Sequence, residues 1–116
     1  MMDIMAQDTL FLLSPGFEDA KYPGTRFVCP SCNQIEGLLR SFPDLAAKLT
    51  IHRVDFPRPR QQVIDVVGEE HQALPLLVFG ENPPEDATTY SDTHFIQDTK
   101  RILTLLAERH GFPQLH

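Results

Sequence analysis

Ten of the 116 residues are proline. A proline halts a helix interior and is excluded from a central strand, so these ten mark where regular elements stop. Thr9-Leu10-Phe11-Leu12-Leu13 is a short, nearly continuous apolar run that ends at Ser14-Pro15-Gly16, as expected of a strand buried on both faces. Residues 15–28 carry Pro15, Gly16, Pro23 and Gly24 among scattered charges and read as a long loop. From Ser31 the apolar residues Ile35, Leu38, Leu39 and Phe42 recur at helical spacing. Pro43 ends that helix at Ser41 or Phe42, and Asp44 to Leu49 allow another turn or two. Thr50 to Phe56 reads as a second strand, stopped by Pro57-Arg58-Pro59. Gln61 to Val67 reads as a helix ended by Gly68, and Leu74 to Phe79 as a third strand. Gly80 to Asp92 reads as an acidic loop, Thr93 to Ile96 as a short fourth strand, and Asp98 to His110 as a terminal helix stopped by Gly111 and Pro113.

The order β-α-β-α-β-β-α predicts a single α/β domain over residues 1–116. Two crossovers imply a parallel portion of the sheet and a final hairpin implies an antiparallel edge. The expectation is a four-stranded mixed sheet with helices on both faces.

Charge and cysteine usage narrow the function. A net charge of −6 argues against nucleic-acid and anionic-membrane partners, which favour basic faces. No apolar run approaches the ~18–20 residues of a membrane span. Met1 to Asp8 carries acids and no basic stretch, unlike a signal peptide, so the expected location is the cytoplasm. The two cysteines, Cys29 and Cys32, stand three positions apart. Disulfide scaffolds use more cysteines at longer spacings, so this pair reads as redox-active or metal-binding rather than as a staple.

Cys29-Pro30-Ser31-Cys32 sits where a loop feeds a helix. With Pro30 as first helical residue, Cys29 is the N-cap and its side chain faces the free N–H groups of the first turn. A thiolate there gains those hydrogen bonds and the positive end of the helix dipole, which makes Cys29 the candidate nucleophile. Cys32, one turn on and more buried, is the candidate resolving thiol. Zinc wants four ligands, and His52, His71, His94, His110 and His116 are too scattered to complete a set. A metal site or a two-iron cluster shared between subunits stays open, as does a pair of semi-buried thiols without catalysis.

Leu74-Pro75 heads the third strand, where proline is tolerated and, on its own, reads as trans. The element order, the C-P-x-C and this Leu-Pro together resemble the thioredoxin and glutaredoxin superfamily. The resemblance implies a thiol–disulfide oxidoreductase with Cys29 as nucleophile, Cys32 as resolving cysteine and Pro75 as a cis-proline close to Cys29. It implies that the backbone of Leu74 pairs with a bound thiol peptide. No resident cofactor is implied; a protein thiol or glutathione is the implied partner. C-P-S-C is closer to glutaredoxin's C-P-Y-C than to thioredoxin's W-C-G-P-C. Val28 precedes Cys29, the chain has no Trp, and Phe95-Ile96-Gln97-Asp98-Thr99 lacks the glycines of a glutaredoxin's glutathione-binding turn. Over almost its full length, including residues 56–60 and 107–113, the chain also resembles a bacterial family of unknown function with a thioredoxin-like fold. The competing class is a thioredoxin-fold binding module whose cysteine pair is vestigial or holds a metal at an oligomer interface.

The remaining polar residues have simpler readings. Arg58 and Arg60 flank a proline turn as solvated charges, with a substrate carboxylate as their alternative partner. Arg26 reads as a solvated loop charge that could add positive potential near Cys29. Asp98 is expected to cap the last helix, and His52 to be a packed or exposed side chain rather than a ligand.

Overall fold

Strand β1 (Thr9–Leu13) is sheltered on both faces and buried along nearly its whole length, because every position after Thr9 is apolar and a layer of helix lies on each side. The computed structural model describes residues 7–116; the expectations for Met1 to Ala6 lie outside them. After β1 come β2 (Phe17–Glu18), β3 (Arg26–Phe27), α1 (Pro30–Ser41), α2 (Pro43–Ala46), β4 (Thr50–Val54) and α3 (Gln61–Val67). The chain continues through β5 (Leu76–Val78), β6 (Thr88–Tyr90), β7 (Thr93–Ile96) and α4 (Thr99–His110). Among the described residues no helix is long and apolar enough to cross a membrane.

The main sheet runs β4-β1-β5-β7-β6. It is mixed α/β as expected, but five-stranded rather than four-stranded. The extra strand is β6, which pairs Thr88 with Phe95 and Tyr90 with Thr93 inside the stretch read as an acidic loop. All three of its residues are exposed, so no alternation of burial marks it in the sequence. A second small ribbon, β2 against β3, lies within residues 15–28, likewise read as loop. Only the first crossover joins parallel strands: β1 and β4 pair in parallel from Thr9↔Thr50 to Leu13↔Val54. After α3 the chain returns antiparallel to β1, with Phe11 opposite Leu76.

Alternation along β1 divides the core. Leu10 and Leu12 join Ile35, Leu39, Ile102 and Leu106 beneath α1 and α4. Phe11 faces the other way, with Val63 and Val67 of α3, Leu76 and Phe95. The helix signals behave as their chemistry requires. Asp98 accepts a hydrogen bond from the Arg101 N–H at 2.9 Å and caps α4. Phe42, counted in the apolar stripe of α1, is instead exposed at its C-cap.

Gly68 ends α3 with φ 89° and ψ 161°, a region that is essentially glycine's alone. A Cβ added there would stand 2.7 Å from the Tyr90 ring, so the ring of edge strand β6 lies on the glycine. Gly68→Ala is expected to destabilise the fold by about 1–3 kcal/mol. Adding Tyr90→Ala should relieve only the steric part, and urea unfolding of both variants checks the division.

Candidate functional site

The thiol pair is built by the junction of the β2–β3 ribbon with α1. Cys29 is the N-cap of α1, with extended backbone at φ −74° and ψ 120°, and Pro30 opens the helix. Its Sγ accepts a hydrogen bond from the Cys32 N–H at 3.3 Å, the capping contact expected of a side chain facing the free amides. Both cysteines are free thiols; Cys29 is half-buried, whereas Cys32 is only 2% exposed. The Cys32 Sγ in turn accepts from the Leu13 N–H at 3.4 Å, so the end of β1 rests on the inner sulfur.

These environments separate the two sulfurs chemically. Burial pushes the Cys32 thiol up to about 12. The Leu13 N–H opposes this, while the contact with Cys29 and the charge of Glu36 add to it. A thiol so placed stays protonated near neutral pH, and thiolate is the reactive form. Brief iodoacetamide treatment of the folded protein should therefore modify Cys29 and spare Cys32 until urea exposes it. Peptide mapping by mass spectrometry reads this directly.

Leu74–Pro75 is a cis peptide bond, as is Arg58–Pro59. Pro75 is fully buried, and the half-buried Leu74 packs against the clusters on both faces of the sheet. Strand β5 begins directly after Pro75 and pairs with β1 as far as Phe11↔Leu76, two residues before Leu13. Leu13 is the residue whose N–H reaches Cys32. The approach to Pro75 is held by Gln97, whose amide donates to the carbonyls of His71 and Ala73, both at 2.9 Å.

Arg60 departs from its sequence reading. Arg58 is exposed as expected, but Arg60 is 6% exposed. Its Nε and Nη2 donate to the Phe56 carbonyl at 3.0 and 2.7 Å, and its Nη1 donates to the Gln72 carbonyl at 2.8 Å. The Gln72 side chain closes the clasp by accepting from the Arg60 backbone N–H at 2.8 Å. Burial is tolerated because carbonyl oxygens replace the lost water. The Phe56 ring stacks on Phe17 of the ribbon, 4.4 Å between centroids and 4° from parallel. Arg60 sits over the same ring, 5.6 Å from its centroid. A groove of about 540 Å³ opens between Phe56–Pro57 and the ribbon's turn. Arg26 remains exposed, its Nε donating to the Gly16 carbonyl, and His52 is exposed beside the Phe11 ring.

Cys29 and Cys32 lie at the helix start where their spacing put them, whereas neither the Arg60–Gln72 clasp nor the Gln97 contacts were expected from the sequence. The only signal was polar residues of capable reach close to prolines, which also describes many solvated loops. Among the described residues no three His, Cys, Asp or Glu side chains converge as a metal site would need.

Residues 7–114 match a family described as "Protein of unknown function (DUF3088)", and the chain belongs to that family. No curated protein and no solved structure matches it.

Proposed function

We propose that this protein is a thiol–disulfide oxidoreductase of thioredoxin-like architecture, acting through Cys29 and Cys32. One observation carries the reading: a half-buried sulfur caps the helix and accepts the N–H of a second, buried cysteine one turn on. The topology supports it, with a parallel β1–α1–β4 unit, an antiparallel β5–β7 pair beside it and helices on both faces.

In this mechanism the Cys29 thiolate attacks one sulfur of a substrate disulfide. The substrate S–S bond breaks, and the departing sulfur leaves as a thiolate that takes a proton from solvent. Cys32 then loses its proton to solvent and attacks the Cys29 Sγ. The mixed disulfide breaks, the second substrate sulfur leaves reduced, and the protein keeps both oxidised sulfurs as a Cys29–Cys32 disulfide. Two electrons pass to the substrate. A thiol, either glutathione or a protein dithiol, returns them. The Leu74 backbone, two residues ahead of β5, is the edge along which an extended substrate peptide would pair. The cytoplasm, where thiols are kept reduced, suits this direction of transfer.

Mixing the reduced protein with a peptide disulfide tests the proposal. The expected result is peptide thiols released in step with loss of both protein thiols. The reading is overturned if the peptide stays oxidised and the thiols stay free. It is also overturned if the purified protein carries stoichiometric zinc or iron and its cysteines resist alkylation, the mark of a pair ligating metal between chains.

A further inference from the structure

Residues 69–73 form neither helix nor strand, yet side chains reach in to bind their carbonyls. Gln72 Nε2 donates to the Glu69 carbonyl at 2.9 Å, and Arg60 Nη1 donates to the Gln72 carbonyl at 2.8 Å. Gln97 Nε2 donates to the carbonyls on either side of Gln72, those of His71 and Ala73, both at 2.9 Å. A side-chain amide has two N–H donors, so Gln97 spends its whole donor capacity on this one segment. It directly follows Ile96, which pairs with Leu77 of β5, so the hold is anchored to the main sheet. Leu74, the next residue, is the exception. It is half-buried, but its N–H and C=O have no hydrogen-bond partner among the described residues. The sheet does not supply one, because Pro75 has no N–H and the pairing of β5 with β1 stops at Leu76. Backbone groups withdrawn from water ordinarily find a partner. A segment fastened up to Ala73 and bare at Leu74 is ordered before any ligand arrives, which spares the cost of ordering it on binding.

We propose that Gln97 is the positioning residue of the Leu74 edge. It holds residues 71–73 in place so that the Leu74 N–H and C=O stay free to pair with an extended peptide. Use of this edge in turnover rests on the thiol–disulfide reading; the hold and the edge do not. A residue in an antiparallel pair can exchange both of its hydrogen bonds with one partner residue. Leu74 therefore takes a substrate through its backbone, and the substrate class is extended peptides of tolerant sequence. A small disulfide without peptide bonds gains nothing from the edge. Arg60 fastens the same segment but also joins it to Phe56, so Gln97 is the more selective handle.

The test compares a short peptide dimerised through a central cysteine with hydroxyethyl disulfide, which has no peptide bond. Gln97→Leu keeps much of the bulk and removes both donors. It should raise KM for the peptide by about tenfold, leave kcat within about twofold and leave turnover of hydroxyethyl disulfide unchanged. Gln97→Glu, which sets a carboxylate against two carbonyls, should raise the peptide KM at least as far. Equal losses on both substrates, the mark of a generally loosened fold, overturn the proposal, and so does an unchanged peptide KM. If neither variant folds, or the unsubstituted protein reduces no disulfide, binding to the unsubstituted protein decides. The monomeric peptide with serine in place of its cysteine is titrated in while amide resonances are followed. The Leu74 N–H should shift and exchange more slowly with solvent, and the Gln97 Nε2 protons should already exchange slowly without peptide. An unmoved Leu74 N–H, or freely exchanging Gln97 protons, overturns the proposal. Both expected signals in a protein that reduces neither disulfide remove the oxidoreductase and keep the edge. Turnover of both disulfides that Gln97→Leu leaves unaltered does the reverse.

Discussion

Cys29→Ser is expected to reduce disulfide turnover by at least about a thousandfold, since a serine hydroxyl at the same site is essentially un-ionised near neutral pH. Serine is itself a preferred N-cap, so the Cys32 N–H keeps an acceptor and the start of α1 is preserved. Loss of activity with unchanged unfolding would therefore report chemistry rather than structure. Cys32→Ser should behave differently. Cys29 can still open a substrate disulfide, but nothing resolves the adduct, so a mixed disulfide with Cys29 accumulates and is visible by mass under non-reducing conditions. This variant also replaces the buried acceptor of the Leu13 N–H, so some loss of stability accompanies the trap. Equal and undiminished turnover in both variants would exclude the two-cysteine mechanism.

Elements are legible in the sequence where burial imposes a strong pattern. Strand β1, helix α3 and strand β7 fall on the residues expected of them, and α4 begins one residue after its cap Asp98. Continuous apolar runs and capped amphipathic stripes state their own boundaries. Failures occurred where neither pattern is present. The ribbon strands are two residues each and the β6 edge strand has three exposed residues. They exist because neighbouring backbone is available to pair, and local composition says nothing about that. The antiparallel return of β5 was hidden for the same reason, since a strand's direction is set by where the sheet has room. In the candidate site, Cys29 and Cys32 announced themselves by spacing. Arg60 did not, because the carbonyls of Phe56 and Gln72 that receive it meet it only in the folded chain.

The second large effect is expected far along the chain, at Asp8. This carboxylate is 3% exposed just before β1 and gathers groups from the other end of the sequence. Its Oδ1 accepts from the Gly80 N–H at 3.0 Å and from Arg109 Nη2 at 2.9 Å. Its Oδ2 accepts from Arg109 Nε at 2.7 Å and lies 2.8 Å from His110 Nε2. Arg109 also donates to the carbonyls of Glu81 and Asn82, both at 2.7 Å, and covers the Phe79 ring at 4.9 Å from its centroid. One carboxylate thus joins the start of β1, the turn after β5 and the end of α4. Asp8→Ala would leave the Arg109 guanidinium, 22% exposed, without its charge partner. Breaking such a pair costs about 3 kcal/mol, a large share of the ~5–15 kcal/mol that holds a domain together. For a chain of this length the melting temperature should fall by roughly 10–15 °C. Disrupting the exposed Arg101–Asp86 pair should do far less, because water and salt already screen it. The pH dependence has a definite sign. Burial acts to raise the Asp8 carboxyl, but the bonds from His110, Arg109 and Gly80 outweigh it and hold the group well below the usual carboxylate range. A depressed folded-state value means that the stabilisation is complete above the unfolded carboxyl's ~4 and drains away as pH falls further toward the folded value. Asp8→Asn removes that titration, so urea midpoints of the two proteins should differ most near neutral pH and converge in acid. A constant difference down to strongly acidic pH would show that Asp8 supports the fold by packing rather than by charge.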